Sequence, residues 1–540
     1  MKKPYAYFVV NMARTNFIQS AATMPSIHAR ALGAYVRMPD GGLIRCVGLH
    51  SQWIQNTWSA IRSTVTATSP SLAHCFKVCL PVSEADFGLQ EVDIYERHRA
   101  NTESIVGFIL KPAPPGWMIG TLSIDQFFAD LILDRMNVTA TTFQVVAEPP
   151  VDLTVERIVN LFDKELRYRV QNDQWKTQGR EYFATKVQFF VQHNSTLQLC
   201  LPAFPCKSSN LEKVMGVLPD RGEEIALRGL HAFAQKIEQI YPPGARILII
   251  SDGHVFSDCI GVDDETVDEY GEHLKVLNRA ISLAMGEETS RVQFQSLVDL
   301  FNLTSLSLLS SPNPVGTLSL PKLQHYLTTN LDDTAELCRR ILTAGCQPSE
   351  ESLRTQIESG DESTLALYRG FSRFMLQDLE QHPLTQSLSR SCRKKLATRV
   401  SFEMILRNQA YSNLIELMFP DCLRLSIHAH NNSGPKFGIR LFDTATVRAI
   451  RQLDSVGSDD NNGDDASAAT ASHLLHIPTP WHNCIVEVAG DPKLYIVKYG
   501  VIKDSLLTDK YSSELIKGNL AKGEGAFVSL ERPLNPVRTA

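Results

Sequence analysis

A short apolar run between two amphipathic segments constrains the fold of this chain more than any other feature. The run at 246–251 reads RILIIS between turn residues, which is typical of a strand buried on both faces in a parallel sheet. Apolar residues recur at helical spacing on either side of it, at Leu227, Leu230, Ala234 and Ile237 before the run and at Val267, Tyr270, Leu274, Leu277 and Ile281 after it. The order helix, strand, helix predicts an α/β protein with a Rossmann-like, mostly parallel sheet and flanking helices.

Other segments extend this pattern over most of the chain. An extended apolar segment is predicted at 187–191, a mostly helical stretch at 285–415, and strands at 196–201, 423–428, 437–442, 485–488, 494–498 and 526–530. A proline-rich step at 148–151 marks a boundary. We therefore expect an N-terminal α+β extension of unknown role at 1–150 and a Rossmann-type domain at 151–540. Within that domain, the acidic stretch at 456–470 is expected to be a disordered insertion.

The charge balance and the cysteines exclude several classes of protein. Lys and Arg number 53 against 59 Asp and Glu, so the net charge is −6 and the positive excess of a nucleic-acid-binding protein is missing. No run approaches the ~18 to 20 apolar residues of a membrane span, and the apolar run at 5–10 is too short for a signal peptide. The 11 cysteines form no CxxC pair, which favours buried thiols over a metal or disulfide framework. We expect a cytoplasmic protein that acts on small molecules.

The first candidate site directly follows the buried strand. Ligands bind at the carboxyl ends of strands in open α/β sheets, where Ser251, Asp252 and His254 would stand. Asp252 and His254 form a plausible acid/base pair for proton transfer at neutral pH. The alternatives are that Asp252 caps a turn while His254 is incidental, or that both join Asp258 as metal ligands.

A second candidate is Lys207, in a loop after the strand predicted at 196–201. Its amine could bind a phosphate or carboxylate, or act as a nucleophile if its pKa were depressed. The neighbouring Cys206 is less attractive as a nucleophile, because no histidine partner can be assigned to it. The alternative is an ordinary surface loop.

The third candidate lies near the C-terminus. Strand alternation would place Arg424, Ser426 and His428 on one face, followed by Lys436. Such a row would suit an anionic ligand if it faced a cavity, and would be an ordinary half-exposed strand if it faced water. Trp481 and His482 follow a proline in a rigid turn that could present an aromatic ring and an imidazole.

These segments occur in one order, and their combination is far more specific than any one of them. FPCK at 204–207, ISDGHVFSD at 250–258, RLSIH at 424–428 and TPWHN at 479–483 resemble the pyoverdine/dityrosine biosynthesis family, the isocyanide synthases, in its fungal spore-wall maturation type. The resemblance covers roughly residues 155 to 535.

The resemblance implies an enzyme that converts the α-amine of an L-amino acid, such as tyrosine or an aliphatic amino acid like valine, to an isonitrile. The extra carbon would come from ribulose 5-phosphate, with no cofactor or metal, and an oxygenase or cytochrome P450 could act downstream. From position and chemistry, we expect Asp252, His254 and Lys207 to be catalytic. The expected substrate-binding residues are Ser251, Arg424, Ser426, His428, Lys436, Trp481 and His482.

Two other classes of function stay open on the sequence. One is a non-catalytic small-molecule-binding regulator that keeps the sheet and its anion pocket. The other is a metal-dependent hydrolase built on Asp252, His254 and Asp258.

Overall fold

The fold was analysed in a computed structural model that describes residues 27–39, 43–48, 74–81, 89–99, 103–111, 118–119, 122–135, 153–303, 327, 330–419, 421–428, 430–449, 478–505 and 511–532. The acidic insertion expected at 456–470 lies outside these residues. Within them, every helix is too short or too polar to cross a bilayer.

The N-terminal part is an antiparallel sheet with one long helix. Its elements are α1 (Ile27–Arg30), β1 (Ala31–Arg37), β2 (Leu43–Gly48), β3 (His74–Pro81), β4 (Leu89–His98), β5 (Ile105–Leu110), β6 (Met118–Ile119), β7 (Leu122–Ser123) and α2 (Ile124–Arg135). Five strands pair in the order β2-β1-β5-β4-β3, and β6 pairs with β7. The sheet and helix agree with the α+β character expected for this part.

The central part carries the long helices and a second sheet. Its elements are α3 (Leu153–Glu165), α4 (Arg180–Gln192), β8 (Leu197–Pro202), α5 (Arg221–Ile240), β9 (Ala245–Ile250), α6 (Gly253–Ile260), α7 (Asp264–Ala284), β10 (Val292–Gln295), α8 (Leu297–Phe301), α9 (Asp333–Cys346), α10 (Glu350–Glu358), α11 (Glu362–Gln381), α12 (Arg390–Met418), β11 (Leu423–Ser426) and β12 (Lys436–Gly438). The helix, strand, helix order of α5, β9 and α7 confirms the central sequence prediction.

The central sheet is parallel throughout, in the order β10-β9-β8-β11-β12. The chain first builds from β8 to one side, through β9 and β10, and then returns to place β11 and β12 on the other side. The strand order therefore reverses between β8 and β11. Such a reversal leaves a crevice outside the carboxyl ends of the strands, which is where ligands bind in doubly wound sheets.

A third five-stranded sheet follows in the C-terminal part. Its elements are β13 (Val447–Ala449), β14 (Cys484–Val488), β15 (Leu494–Val497), α13 (Tyr499–Ser505), β16 (Ser512–Ile516) and β17 (Phe527–Glu531), and its strand order is β13-β15-β14-β17-β16. The strands expected near 485, 494 and 526 are confirmed, but they belong to this separate mixed sheet rather than to the Rossmann-like one.

One sequence prediction about an element is wrong. The segment at 187–191 is not extended but lies inside α4, because Phe183, Val187 and Phe190 form one buried face at helical spacing. The short strand β10 lies in the stretch expected to be mostly helical; only its first residue, Val292, is buried, so its pattern is weak. The same stretch also contains α8, α9, α10, α11 and most of α12, so its mostly helical character is confirmed for the described residues.

Candidate active site

A narrow cavity of about 80 Å³ lies at the reversal of strand order. Its walls come from the loops after β8, β9 and β11, from helices α11 and α12, and from the turn at 480–482. We call it the switch-point cavity. Its lining residues are Pro205, Cys206, Ser208, Ser209, Asp252, Phe256, Ile260, Phe371, Phe374, Asp378, Met404, Asn408, Ile427, His428, Trp481 and His482. The wall is mostly apolar with a few polar groups, as in small-molecule sites.

Asp252 lines this cavity from the loop that follows strand β9 of the central sheet. It stands at the N-cap of α6 directly after β9, but its side chain makes no capping hydrogen bond. Its Oδ1 atom is inaccessible and has no hydrogen-bond partner among the described residues. Burial raises the pKa of Asp252 to about 7. The side chain can therefore accept and release a proton near neutral pH.

Gly253 and Ser251 fix the loop that carries Asp252. A Cβ atom on Gly253 would lie 2.2 Å from the carbonyl oxygen of Pro205, so a side chain does not fit there. Ser251 Oγ donates a hydrogen bond to the carbonyl oxygen of Phe204 at 3.0 Å. Gly253 thus lets the loops after β8 and β9 approach each other.

His254 does not share a cavity with Asp252. Its side chain is buried and lines a second cavity of about 320 Å³ beside β10, together with Ser251 and Asp268. The distance between His254 Nε2 and Asp268 Oδ1 is 3.1 Å. The structure therefore separates the two side chains that the sequence joined as an acid/base pair.

Lys207 is fully buried in an ion-pair network. Its Nζ lies 2.7 Å from Asp220 Oδ2, 2.8 Å from Glu223 Oε2 and 3.0 Å from the carbonyl oxygen of Pro480. Burial by itself lowers the pKa of Lys207, but the two carboxylates outweigh it and the net pKa is raised. Burial within the same network raises the pKa of Asp220 to about 7. A charged amine held by three acceptors is poorly suited to nucleophilic attack.

Arg424 and Lys436 lie side by side on β11 and β12, where their Cα atoms pair in register. The Arg424 guanidinium donates to the carbonyl oxygen of Ser412 at 2.9 Å and to its Oγ at 3.0 Å. The Lys436 amine contacts the same hydroxyl. Burial and the nearby Arg424 charge lower the pKa of Lys436 to about 7. We call Arg424, Lys436 and Ser412 the cation cluster.

A histidine pair connects the cation cluster to the switch-point cavity. His428 lines the cavity, and its backbone N–H donates to Ser426 Oγ at 3.2 Å. The same hydroxyl lies 3.0 Å from His430 Nε2. Burial, followed by the charges of His428, Lys436 and Arg424, lowers the pKa of His430 to about 3, so this imidazole is neutral at pH 7. The strand itself ends at Ser426, two residues earlier than predicted.

The last two predicted site residues, Trp481 and His482, line the switch-point cavity. The Trp481 ring is buried against Phe204, with ring centroids 5.0 Å apart, and its carbonyl oxygen accepts from the backbone N–H of Ser208 at 2.9 Å. The His482 ring meets Phe374 edge to face at 4.9 Å. The turn at 480–482 therefore closes the cavity over the loop that follows β8.

Asp258 takes no part in either cavity. Its carboxylate pairs with Arg407, which also donates to the carbonyl oxygen of Val255 at 3.2 Å. Asp252, His254 and Asp258 therefore point to three different surroundings, and the metal-hydrolase alternative has no geometric support. In the described ranges, no group of three or more His, Cys, Asp or Glu side chains is arranged to hold a metal ion.

Several residues of this region were not foreseen from the sequence. Ser412 and Tyr411 come from α12, and the Tyr411 hydroxyl donates to the carbonyl oxygen of Ile250 at 3.0 Å. Asp378 and Phe374 come from α11. These residues sit in ordinary amphipathic helices, and no local signal distinguishes them. His430 differs from these residues, because it lies two positions after the strand predicted at 423–428 and could have been proposed as a site residue from the sequence.

The fold and the cavity define a doubly wound α/β protein with a ligand site at its switch point. Residues 187–508 match the family model described as pyoverdine/dityrosine biosynthesis protein. The chain is 38% identical over 411 residues to the spore wall maturation protein DIT1 of Saccharomyces cerevisiae, which covers 76% of this chain and 73% of that protein. The chain belongs to the pyoverdine/dityrosine biosynthesis family.

Bacterial relatives carry more explicit names. The chain is 30% identical over 304 residues to the L-tryptophan isonitrile synthase AmbI2 of Fischerella ambigua, covering 56% of this chain and 71% of that protein. It is 33% identical over 259 residues to an L-tyrosine isonitrile synthase of Xenorhabdus nematophila, covering 48% and 67%. The crystal structure of PvcA from Pseudomonas aeruginosa superposes with a TM-score of 0.52 at 24% identity, over 70% of this chain and 99% of that one, and supports the fold.

Proposed function

We propose that the protein is an isocyanide synthase that converts the α-amine of an L-amino acid to an isonitrile with ribulose 5-phosphate as carbon donor. Tyrosine or an aliphatic amino acid such as valine is the proposed substrate, and the product would serve as a spore-wall precursor or specialised metabolite. The names of the bacterial relatives, which act on tryptophan and tyrosine, support this reaction class. The observation that carries the proposal is a proton-accepting carboxylate, Asp252, in the wall of the switch-point cavity. The cation cluster lies on β11 and β12, close in the chain to His428 of the same wall.

The first step requires a free amine. An α-ammonium must lose a proton before its nitrogen attacks the ketone of the sugar phosphate; a C–N bond then forms and water leaves as the imine is made. Asp252 is suited to take that proton, because a base with a pKa near the working pH combines availability with driving force. The later carbon–carbon cleavage also requires proton transfers, which the same carboxyl group can supply.

The cation cluster is suited to an anionic group of a substrate. Two half-buried cations share the neutral Ser412 side chain, so each raises the electrostatic cost of the other, which the nearby Glu416 carboxylate offsets only in part. A bound phosphate or carboxylate would relieve that cost and would form charge-assisted hydrogen bonds. We assign the phosphate of ribulose 5-phosphate to Arg424 and Lys436, with Ser426 and His428, which follow Arg424 in the chain, as further contacts of the substrate.

The remaining predicted site residues receive supporting roles in this proposal. Trp481 and His482 form the wall of the switch-point cavity. Lys207 holds the N-terminal end of α5, and Ser251 ties two loops together through its hydroxyl. His254 faces the second cavity, so we assign it no proton transfer in the switch-point cavity.

The test is mass spectrometry of the purified protein incubated with ribulose 5-phosphate labelled at C2 and an equimolar pool of amino acids. We expect one amino acid to gain a single labelled carbon, as isonitrile or as its hydrolysed formamide. The Asp252→Asn variant should give none, while Glu380→Gln, a change on the exposed face of α11, should give the wild-type yield. A folded wild type that transfers no label to any amino acid would refute the proposal.

A further inference from the structure

Two carboxylates of the described chain line the switch-point cavity, and their surroundings differ. Asp252 comes from the sheet and has an unpartnered oxygen. Asp378 comes from α11 and has a buried lysine, Lys213, beside it. Two carboxyl groups held in different environments within one site are commonly given different tasks.

The Lys213–Asp378 pair is almost completely removed from water. Lys213 Nζ lies 2.6 Å from Asp378 Oδ1, and the two side chains are 3% and 8% exposed. The amine also lies 3.8 Å above the centre of the Phe374 ring, which itself lines the cavity. Asp378 is therefore held in the cavity wall and Lys213 beside it, at considerable desolvation cost.

The ion pair between Lys213 and Asp378 is close but imperfectly aligned. Lys213 Nζ contacts a single oxygen of the Asp378 carboxylate, Oδ1, and the angle of this contact is not that of a well-aligned hydrogen bond. Burial lowers the pKa of Lys213, and Asp378 opposes that shift. A buried carboxylate in the wall of a small cavity can form charge-assisted hydrogen bonds with a cationic group of a ligand.

We infer that Asp378 binds the α-ammonium group of the amino-acid substrate, with Lys213 as its countercharge when the cavity is empty. This inference rests on the proposed function and adds a division of work between the two carboxylates. Asp378 recognises the charged nitrogen, and Asp252 then removes its proton. Sequence patterns gave no indication of this role, because Lys213 and Asp378 are 165 positions apart and meet only in the fold.

The test compares an amino acid with its α-hydroxy acid analogue, which lacks the ammonium group. L-Tyrosine and L-valine, each with the matching hydroxy acid, are titrated into the full-length protein by calorimetry. We expect the wild type to prefer the amino acid, and Asp378→Asn to lose roughly tenfold to a hundredfold of that preference. Its affinity for ribulose 5-phosphate should not change. Glu380→Gln on the same helix is the matched control and should keep the preference.

A second variant separates recognition from folding. Removing one member of a buried pair can destabilise a protein, whereas removing both charges together is often tolerated. The double variant Lys213→Met with Asp378→Asn should therefore fold, and it should still lack the preference for the amino acid. Full preference in either variant would overturn the inference even if wild-type turnover is normal. A wild type that binds amino acid and hydroxy acid equally would overturn it whether or not label transfer is seen.

Discussion

At the scale of single residues, Asp252 couples the pH dependence of stability to that of activity. Its pKa is raised by burial from 3.8 to about 7. The folded state thus binds this proton more tightly than the unfolded chain, and the resulting stabilisation is complete below about pH 4 and lost as the pH rises through about 7. Asp252→Asn removes the buried charge. We expect its melting temperature to exceed that of the wild type at about pH 8 and to match it at about pH 4, with no product at either pH.

The control for this prediction is Asp268→Asn. Asp268 has a side chain that is 59% exposed, so its removal should not produce a pH-dependent gain. Thermal denaturation at both pH values, with label transfer measured on the same samples, checks both parts. Equal melting temperatures for Asp252→Asn and wild type across the range would contradict the raised pKa, and normal turnover would exclude Asp252 as the proton carrier.

Lys436 sets the alkaline side of the expected activity profile. Burial and Arg424 lower its pKa to about 7, so above that pH the amine becomes neutral and its attraction for a phosphate is lost. With Asp252 needed as a base, kcat/KM should peak near neutral pH. Lys436→Arg keeps the charge at all pH values, because a guanidinium does not titrate in this range. The alkaline limb for ribulose 5-phosphate should therefore move upward by at least about one pH unit.

A matched variant identifies the source of that limb. Lys436→Met removes the charge altogether and should raise the KM for ribulose 5-phosphate at every pH, while the KM for the amino acid stays near the wild-type value. An alkaline limb that is identical in wild type and Lys436→Arg would show that another group titrates there.

At the scale of elements, the first turn of α5 is joined to a lysine from the loop after β8. Asp220 accepts a hydrogen bond from the backbone N–H of Gly222, Glu223 accepts one from that of Asp220, and Lys207 pairs with both carboxylates. Lys207→Met would leave two buried carboxylates without a cation. We expect a loss of about 3 to 5 kcal/mol in the free energy of unfolding, largest at high pH where the carboxylates are ionised.

Denaturant unfolding and turnover of the folded fraction together decide the role of Lys207. If it is structural, the variant should be less stable but should turn over substrate at nearly the wild-type rate per folded molecule at low temperature. Loss of turnover with unchanged stability would instead assign Lys207 to catalysis, as the sequence suggested.

Elements with strong periodicity could be predicted from the sequence, and elements set by tertiary pairing could not. Helix α7 has a clear helical period, and strand β9 is a short apolar run bounded by turn residues between two such helices. The segment at 187–191 has an apolar run that fits either a strand or one face of a helix, and only its packing decides. Two of the three residues of the cation cluster could be predicted from the sequence. Arg424 lies in one predicted strand and Lys436 directly precedes another. Ser412 could not be predicted, because it comes from a long helix whose position depends on the whole core.

At the scale of the whole molecule, the N-terminal part and the cavity walls share one hydrophobic core. Phe128 of α2, Phe371 of α11 and Met404 of α12 belong to the same buried cluster, and the last two line the switch-point cavity. Arg135 at the end of α2 also donates to the carbonyl oxygen of Leu300 at 2.6 Å. The packing of the N-terminal part therefore supports the two helices that close the cavity, which the expectation of a separate extension did not anticipate.

Phe128 tests this support. Its ring is fully buried, lies edge to face with Phe127 at 5.5 Å and with Phe301 at 6.1 Å, and packs so closely on Gly345 of α9 that a Cβ there would lie 2.1 Å away. Phe128→Ala should cost about 3 to 5 kcal/mol of stability and leave a cavity beneath the helices. Because α11 and α12 lose part of their support, the KM for the amino acid should rise as well.

The conservative variant Phe128→Leu keeps most of the apolar volume and should show a smaller effect on both quantities. Denaturant unfolding gives the stability, steady-state kinetics give the KM, and limited proteolysis reports whether the N-terminal sheet detaches before the central one. If Phe128→Ala lowers stability while the KM and the order of cleavage stay as in the wild type, the N-terminal part contributes to folding alone. If all three change together and Phe128→Leu restores them in part, the cavity depends on packing that begins far outside the Rossmann-like sheet.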